Sequence, residues 1–282
     1  MRQRLLVALD GSPHSEAALQ YGVMLARAFG ATLRGVHVVD IVQVESPLLY
    51  DLAGAIGAAP QLNLTALMRQ NLELRGQQLL ATFRRTCEDA GVACETQLAV
   101  GVVPHEILRA ARDVDLILMG RGGLHTRLSK ALLGSAVERV VRHAGKPTLV
   151  SPEHYAPVHR LLVATDGSPS ATAALDTAVF FAQRLGLPLH VVHCSPTAEA
   201  GQACLEAARA RLAASGVACS FALCPGNPHE DLVSYILEHG YDLVFIGAFG
   251  HRRIVEWLLG STTRYLLRVC PMPLVLCHAA ND

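Results

Sequence analysis

Short, almost wholly apolar runs alternate along the chain with longer segments in which apolar residues recur every three or four positions. The first run, Leu5–Leu9, ends in Asp10-Gly11, a strand entering a turn. Ser12 then fits a helix N-cap and Pro13 the first helical position. Ala17, Ala18, Tyr21, Leu25 and Ala28 follow near helical spacing, and Gly30 fits the stop. The same reading predicts strands at Val36–Val39, Ala93–Val100, Asp115–Met119 and Thr148–Val150. It predicts helices over Leu62–Asp89, Pro104–Arg112 and Ser135–His143. The order then begins again. Strands are expected at Leu161–Thr165, His190–Cys194, Cys219–Cys224, Leu243–Ile246 and Leu274–Cys277, and helices at Pro169–Leu185, Gly201–Ser215, His229–His239 and Ser261–Val269. Strands alternating with helices predict βαβ units and a parallel sheet with right-handed crossovers.

The restart is a repetition of sequence as well as of pattern. LLVALDGSP (Leu5–Pro13) returns as LLVATDGSP (Leu161–Pro169); MGRGG then LLGS (Met119–Gly123, Leu132–Ser135) returns as IGAFG then LLGS (Ile246–Gly250, Leu258–Ser261). A two-part signature present twice predicts two copies of one domain, at 1–151 and 160–282. The linker, 152–159, is stiffened by Pro152 and Pro157. The length, 282 residues, suits two domains. The copies differ in one respect: 110 residues separate Asp10 from Gly120, but only 81 separate Asp166 from Gly247. The excess lies between strands two and three, in Ile41–Gln61 and a longer helix. A loop of that length packs structurally or serves as a lid or interface.

Composition narrows the partners. Hydrophobic residues make up 51% and aromatics only 5%, so the core is aliphatic, as in buried parallel sheets. The 24 basic and 24 acidic residues cancel, which gives no electrostatic reason to expect nucleic acid or an anionic membrane. No apolar run approaches the ~20 residues of a spanning helix, and Leu5–Leu9 leaves no room for a signal peptide. A cytoplasmic protein is expected. The eight cysteines are scattered without a CxxC and read as reduced structural thiols rather than metal ligands.

The repeated residues carry a chemistry. Gly247-x-x-Gly250 follows a strand, and nine residues later Gly260-Ser261 opens a helix. A polyphosphate needs converging N–H donors and close backbone approach; glycine permits the approach, and a helix N-terminus supplies donors and partial positive charge. Ser261, Thr262 and Thr263 offer hydroxyls, and Arg252, Arg253 and Arg264 offer charge. Alternatively, the glycines only make turns and Ser261 only caps its helix. In the first half Gly120-Arg121-Gly122-Gly123 is followed by Gly134-Ser135 after ten residues, one more than in the second. Ser135 and Glu138 fit a capping box, and Glu138 stands where the second half has Arg264. This local chemistry favours the second half for phosphates. Asp10 and Asp166, at the ends of their first strands, suit an adenine amino group or a ribose hydroxyl at the switch point of a doubly wound sheet, or else an ordinary Asp-Gly turn. Val38 and Cys194, equivalent positions in strand two, would bracket a base.

LLVALDGSxxSxxAL, the late GxxG-x9-GS and the closing strand after a Lys-Pro or Met-Pro step together resemble the universal stress protein family, over nearly the whole chain. The resemblance implies two tandem doubly wound α/β sheets of five parallel strands, order 3-2-1-4-5, of the adenine-nucleotide α-hydrolase-like type. It implies pairing through the last strands as an internal pseudo-dimer, and leaves a homodimer open. It also implies ATP, or ADP or AMP, with Mg2+ accompanying the nucleotide. Family site positions map onto Asp166, Cys194, Gly247, Gly250, Gly260, Ser261 and Thr262, and onto Asp10, Val38, Gly120, Gly123, Gly134, Ser135 and Ala136. The chain contains no GxxxxGK[ST], HExxH or GxSxG. Any ATPase activity is therefore expected to be weak; His125 or His251, close after the glycines, either serves it by imidazole catalysis or is an ordinary surface histidine, the reading the residue type favours. The implied role is stress response or signalling through an unknown partner protein, the alternative being an interaction module with vestigial pockets.

Overall fold

Every predicted strand forms, and most run a residue or more beyond the apolar core of their motif. The computed structural model describes residues 3–41, 61–123, 134–249 and 259–279. The first half runs β1 (Arg4–Leu9), α1 (Pro13–Phe29), β2 (Thr32–Asp40), α2 (Gln61–Asp89), β3 (Cys94–Gly101), α3 (Val103–Ala110), β4 (Leu116–Gly120), α4 (Ser135–His143) and β5 (Thr148–Ser151). The second runs β6 (Leu161–Ala164), α5 (Pro169–Leu185), β7 (Leu189–Ser195), α6 (Ala198–Leu212), β8 (Cys219–Pro225), α7 (Glu230–His239), β9 (Leu243–Gly247), α8 (Ser261–Val269) and β10 (Leu274–Cys277). β2 starts four residues earlier than expected. Arg34 interrupts its apolar run, yet Thr32–Val36 still pair with β1. Most of the long loop, 42–60, lies outside the described residues.

The caps follow local chemistry. Ser12 and Ser168 accept the N–H of Ser15 and Ala171, each at 3.2 Å, with proline at the first helical position. Gly30 and Gly186 close the same two helices in the left-handed conformation, φ 63° and 67°. The capping box expected at Ser135 does not form. Gly134 is the N-cap, Ser135 lies within the helix, and Glu138 pairs with Arg142 one turn on. A helix with i,i+4 carboxylate and guanidinium groups satisfies Glu138 without reaching back.

The expected pairing through the last strands, Thr148–Val150 with Leu274–Cys277, forms and joins the two expected sheets into one. The strands form a single ten-stranded sheet in the order β3-β2-β1-β4-β5-β10-β9-β6-β7-β8. Each half keeps the order 3-2-1-4-5 with parallel pairing, and β5 joins β10 antiparallel through Val150–Leu274, Leu149–Val275 and Thr148–Leu276. Pairing two equivalent residues, Leu149 and Val275, centres a local two-fold axis on the seam. Helices cover both faces, so the strands are buried on both. α1, α2, α5 and α6 pack on one face with Leu5, Val7 and Leu9; α3, α4, α7 and α8 pack on the other with Leu6. Phe29 crosses the seam and meets Phe180 and Phe181 edge-to-face at centroid distances of 5.1 and 5.0 Å. Arg121 also crosses it, donating through Nη2 to the Met272 carbonyl at 3.1 Å; burial pulls its pKa down. Among the described residues no helix is long and apolar enough to cross a membrane.

Candidate functional site

Antiparallel pairing of the halves puts their two strand-end crevices at opposite ends of one sheet. In the first half, the crevice outside β1, β2 and β4 is a cavity of about 330 Å³. Asp10, Val38, Gly120, Gly123, Gly134, Ser135 and Ala136 all line it, so every expected first-half position converges there. The second-half cavity, about 230 Å³, is lined by Asp166, Cys194, Gly247, Gly260, Ser261 and Thr262. Gly250, Arg252, Arg253, His251 and His125 lie outside the described residues.

Turn geometry sets the aspartates. Ser12 N–H donates to Asp10 Oδ1, and Ser168 N–H to Asp166 Oδ1, both at 2.9 Å. Each carboxylate thus braces the turn into its helix, as an ordinary Asp-Gly turn requires, while still facing its cavity. In the first half the two parts of the signature touch. A Cβ on Gly123 would stand 2.9 Å from Asp10 Oδ2, so glycine there keeps the carboxylate in place.

The glycines divide by role. A Cβ on Gly120 would stand 2.6 Å from His14 Cβ and 2.9 Å from Ser15 N; one on Gly247 would stand 2.8 Å from Ala171 N. These two glycines let the first turns of α1 and α5 lie against β4 and β9. That is a packing role, which the phosphate-approach reading did not assign them. Gly134 differs: a Cβ there meets only ordinary contacts, Arg121 O at 3.4 Å and Val137 Cγ2 at 3.6 Å. The fold does not require glycine at Gly134, and the position opens on the cavity at the start of α4. Its φ of −59° and ψ of 132° suit any N-cap residue.

Three second-half groups are committed elsewhere. Thr263 is buried, and its hydroxyl donates to the Gly247 carbonyl at 2.8 Å. Ser261 Oγ hydrogen-bonds His229 Nε2 at 3.1 Å. Arg264 turns back toward the Leu259 carbonyl, with Nη2 at 3.5 Å, and does not line the cavity. The Glu138 carboxylate, which stands where the second half has Arg264, is paired with Arg142.

One repeated device escaped the sequence reading. His37 Nδ1 donates to the Leu9 carbonyl at 2.7 Å, and His193 Nδ1 to the Thr165 carbonyl at 2.6 Å. Each ties β2 or β7 to the end of the neighbouring first strand, directly beside its aspartate. Each imidazole sits under a helix glycine: a Cβ on Gly76 would meet His37 Cδ2 at 2.5 Å, and one on Gly201 would meet His193 Cδ2 at 3.3 Å. Both histidines immediately precede Val38 and Cys194, so aligning the copies exposes them.

Cys194 and Cys224 face each other across β7 and β8, and burial with this pairing pushes the Cys194 thiol up. None of the eight cysteines is in a disulfide. Burial pushes the Cys277 thiol up to about 12, keeping it a neutral core group.

A family model described as the universal stress protein family matches residues 1–152, 157–210 and 198–278. A universal stress protein of Synechocystis is 28% identical over 97% of this chain and 99% of its own length. A Methanocaldococcus jannaschii universal stress protein is 31% identical over 52% of this chain and 81% of its own. A solved universal stress protein of Archaeoglobus fulgidus matches with a TM-score of 0.77 at 22% identity, covering 98% of both chains, a likeness of fold.

Proposed function

The chain belongs to the universal stress protein family, and we propose that it binds an adenine nucleotide, ATP or ADP or AMP, at the strand-end crevice of each half. The observation that carries this reading is the convergence of one carboxylate, one strand-two backbone and one helix N-terminus on a single cavity, twice. Asp10 accepts from the ribose or the adenine amino group, and the β2 backbone around Val38 flanks the base. The N–H groups opening α4, with Gly134 and Ser135, meet the phosphates. Asp166, Cys194 and Gly260-Ser261 repeat these roles. Mg2+ accompanies the phosphates as their counter-ion. The protein acts as a nucleotide-dependent stress or signalling component with slow turnover.

Cavity size and charge favour the first half, against the ranking drawn from sequence. Its cavity is the larger and falls within the roughly 300–1,000 Å³ of small-molecule sites. The Glu138 charge that argued against it is paired. Isothermal titration of the purified chain with ATP tests the reading: Gly134→Val is expected to weaken binding at least about tenfold, and more than Gly260→Val does. No binding at millimolar nucleotide would leave an interaction module with vestigial pockets as the function.

A further inference from the structure

A histidine stands where α8 begins, at the mouth of the second-half crevice. The turn between β8 and α7 carries Pro228, which lines the cavity, and then His229. This turn is braced from within: Asn227 Oδ1 accepts the His229 N–H at 3.0 Å, and Asp231 Oδ2 accepts the Asn227 N–H at 2.5 Å. Two contacts then aim the imidazole at α8. Its ring stacks on Tyr265, with centroids 5.8 Å apart and planes 19° from parallel, and its Nε2 lies 3.1 Å from Ser261 Oγ. Ser261 and Tyr265 are four residues apart on one helix face, so the imidazole lies along the first turn of α8.

Ser261 itself lines the cavity, beside Gly260 and Thr262. The imidazole is therefore one hydrogen bond away from a hydroxyl that faces the ligand. The first turn of α8 contains no acidic residue, and Arg264 turns back toward the Leu259 carbonyl. The first half is built differently at this place. Val38 pairs with Ala99 as Cys194 pairs with Cys224, which sets an offset of 125 between β3 and β8. Counting on from there, Gly226 answers to Gly101, Asp231 to Glu106 and His229 to Pro104. Proline has no side-chain donor, so the pair of imidazole and hydroxyl belongs to the second half.

We propose, resting on the nucleotide reading of this crevice, that His229 is a phosphate-binding residue of the second half. With nucleotide bound, its Nε2–H donates to a phosphate oxygen that Ser261 Oγ and the N–H groups opening α8 also meet. Without nucleotide, the Ser261 hydroxyl holds the imidazole in the same place. A hydrogen bond to a phosphate oxygen is charge-assisted and stronger than the neutral one it replaces. The second half then recognises phosphates through a side chain of the β8–α7 turn, where the first half relies on the start of α4 and Ser135.

The test is isothermal titration with ATP and with adenosine, made on the full chain carrying Gly134→Val so that the second half dominates. His229→Phe keeps a flat ring on Tyr265 and removes the donor. It is expected to weaken ATP about tenfold, the loss of one hydrogen bond to a charged group. Adenosine affinity is expected to stay unchanged, which also shows that the crevice remains folded. ATP affinity unchanged by His229→Phe, or an equal loss for ATP and adenosine, overturns the role of His229 and leaves the nucleotide reading standing. ATP binding by the wild type but not by the Gly134→Val chain removes the second half from that reading, and His229 with it. No ATP binding by either chain overturns both.

Discussion

Substituting Gly247 by alanine separates the two roles that a glycine at this position can have. The added Cβ would stand 2.6 Å from Ser170 Oγ, 2.8 Å from Ala171 N and 2.9 Å from Ser170 C. The hydroxyl can rotate away, but the backbone atoms cannot, so the first turn of α5 must retreat by roughly half an ångström. That turn is held by the Ser168 cap and by the Thr172 N–H bond to the Ser168 carbonyl at 2.9 Å, which resist the movement. Overpacking of this kind costs about 1–3 kcal/mol. At ~2–4 °C per kcal/mol for a chain of this size, Tm should fall by about 2–12 °C. Gly134→Ala is the control: its Cβ has room, and its expected cost is about 1 kcal/mol or less, from the weaker N-cap preference of alanine. Thermal melts by circular dichroism, with and without ATP, read both. If G247A melts with the wild type while losing nucleotide affinity, Gly247 serves phosphate approach and the packing argument is wrong.

Two further outcomes follow from the structure. Thr263→Val keeps the shape but leaves the buried Gly247 carbonyl without its 2.8 Å donor, and should cost about 1–3 kcal/mol in urea unfolding; an unchanged midpoint would mean another donor replaces it. His190 is held between Tyr235 and Ser220, and burial lowers its pKa. Its folded value lies below the unfolded one, so its stabilising contribution is present above about pH 6.5 and is lost as pH falls through that value toward the folded pKa. His190→Gln should therefore shrink the loss of Tm between pH 7.5 and 5.5; an equally steep loss would assign the acid sensitivity to other groups, such as His14 and His278.

Much of this architecture is legible in the chain because strand order and helix starts follow from local patterns. Leu5–Leu9 and Leu161–Ala164 are wholly apolar, and Ser12-Pro13 and Ser168-Pro169 announce their helices without tertiary help. The capping box at Ser135 misled because the motif is read three residues at a time, while the choice between reaching back to the N-cap and forward to Arg142 is made in three dimensions. The glycines were harder still. Gly120, Gly134 and Gly247 look alike in sequence, but only the packing of α1 and α5 distinguishes glycines the fold needs from one it merely permits. The fusion of two sheets into one depends on β5 and β10 meeting edge to edge, a long-range pairing that comes from the family resemblance and that no window along the chain contains by itself.

That edge pairing has a consequence for how the two halves diverge. In an association of separate identical chains, each substitution at the interface appears on both sides, so a side chain suited to one position must also be tolerated at its mirror. Here the partner is covalently supplied at an effective concentration on the order of millimolar, set by a short connection. Every seam therefore contains one copy of each half, whatever the cellular abundance. A buried guanidinium can cross at Arg121 because its equivalent, Ala248, never has to accommodate a second one. The same freedom applies to the cavities on either side: one can change its ligand while the other keeps the assembly intact.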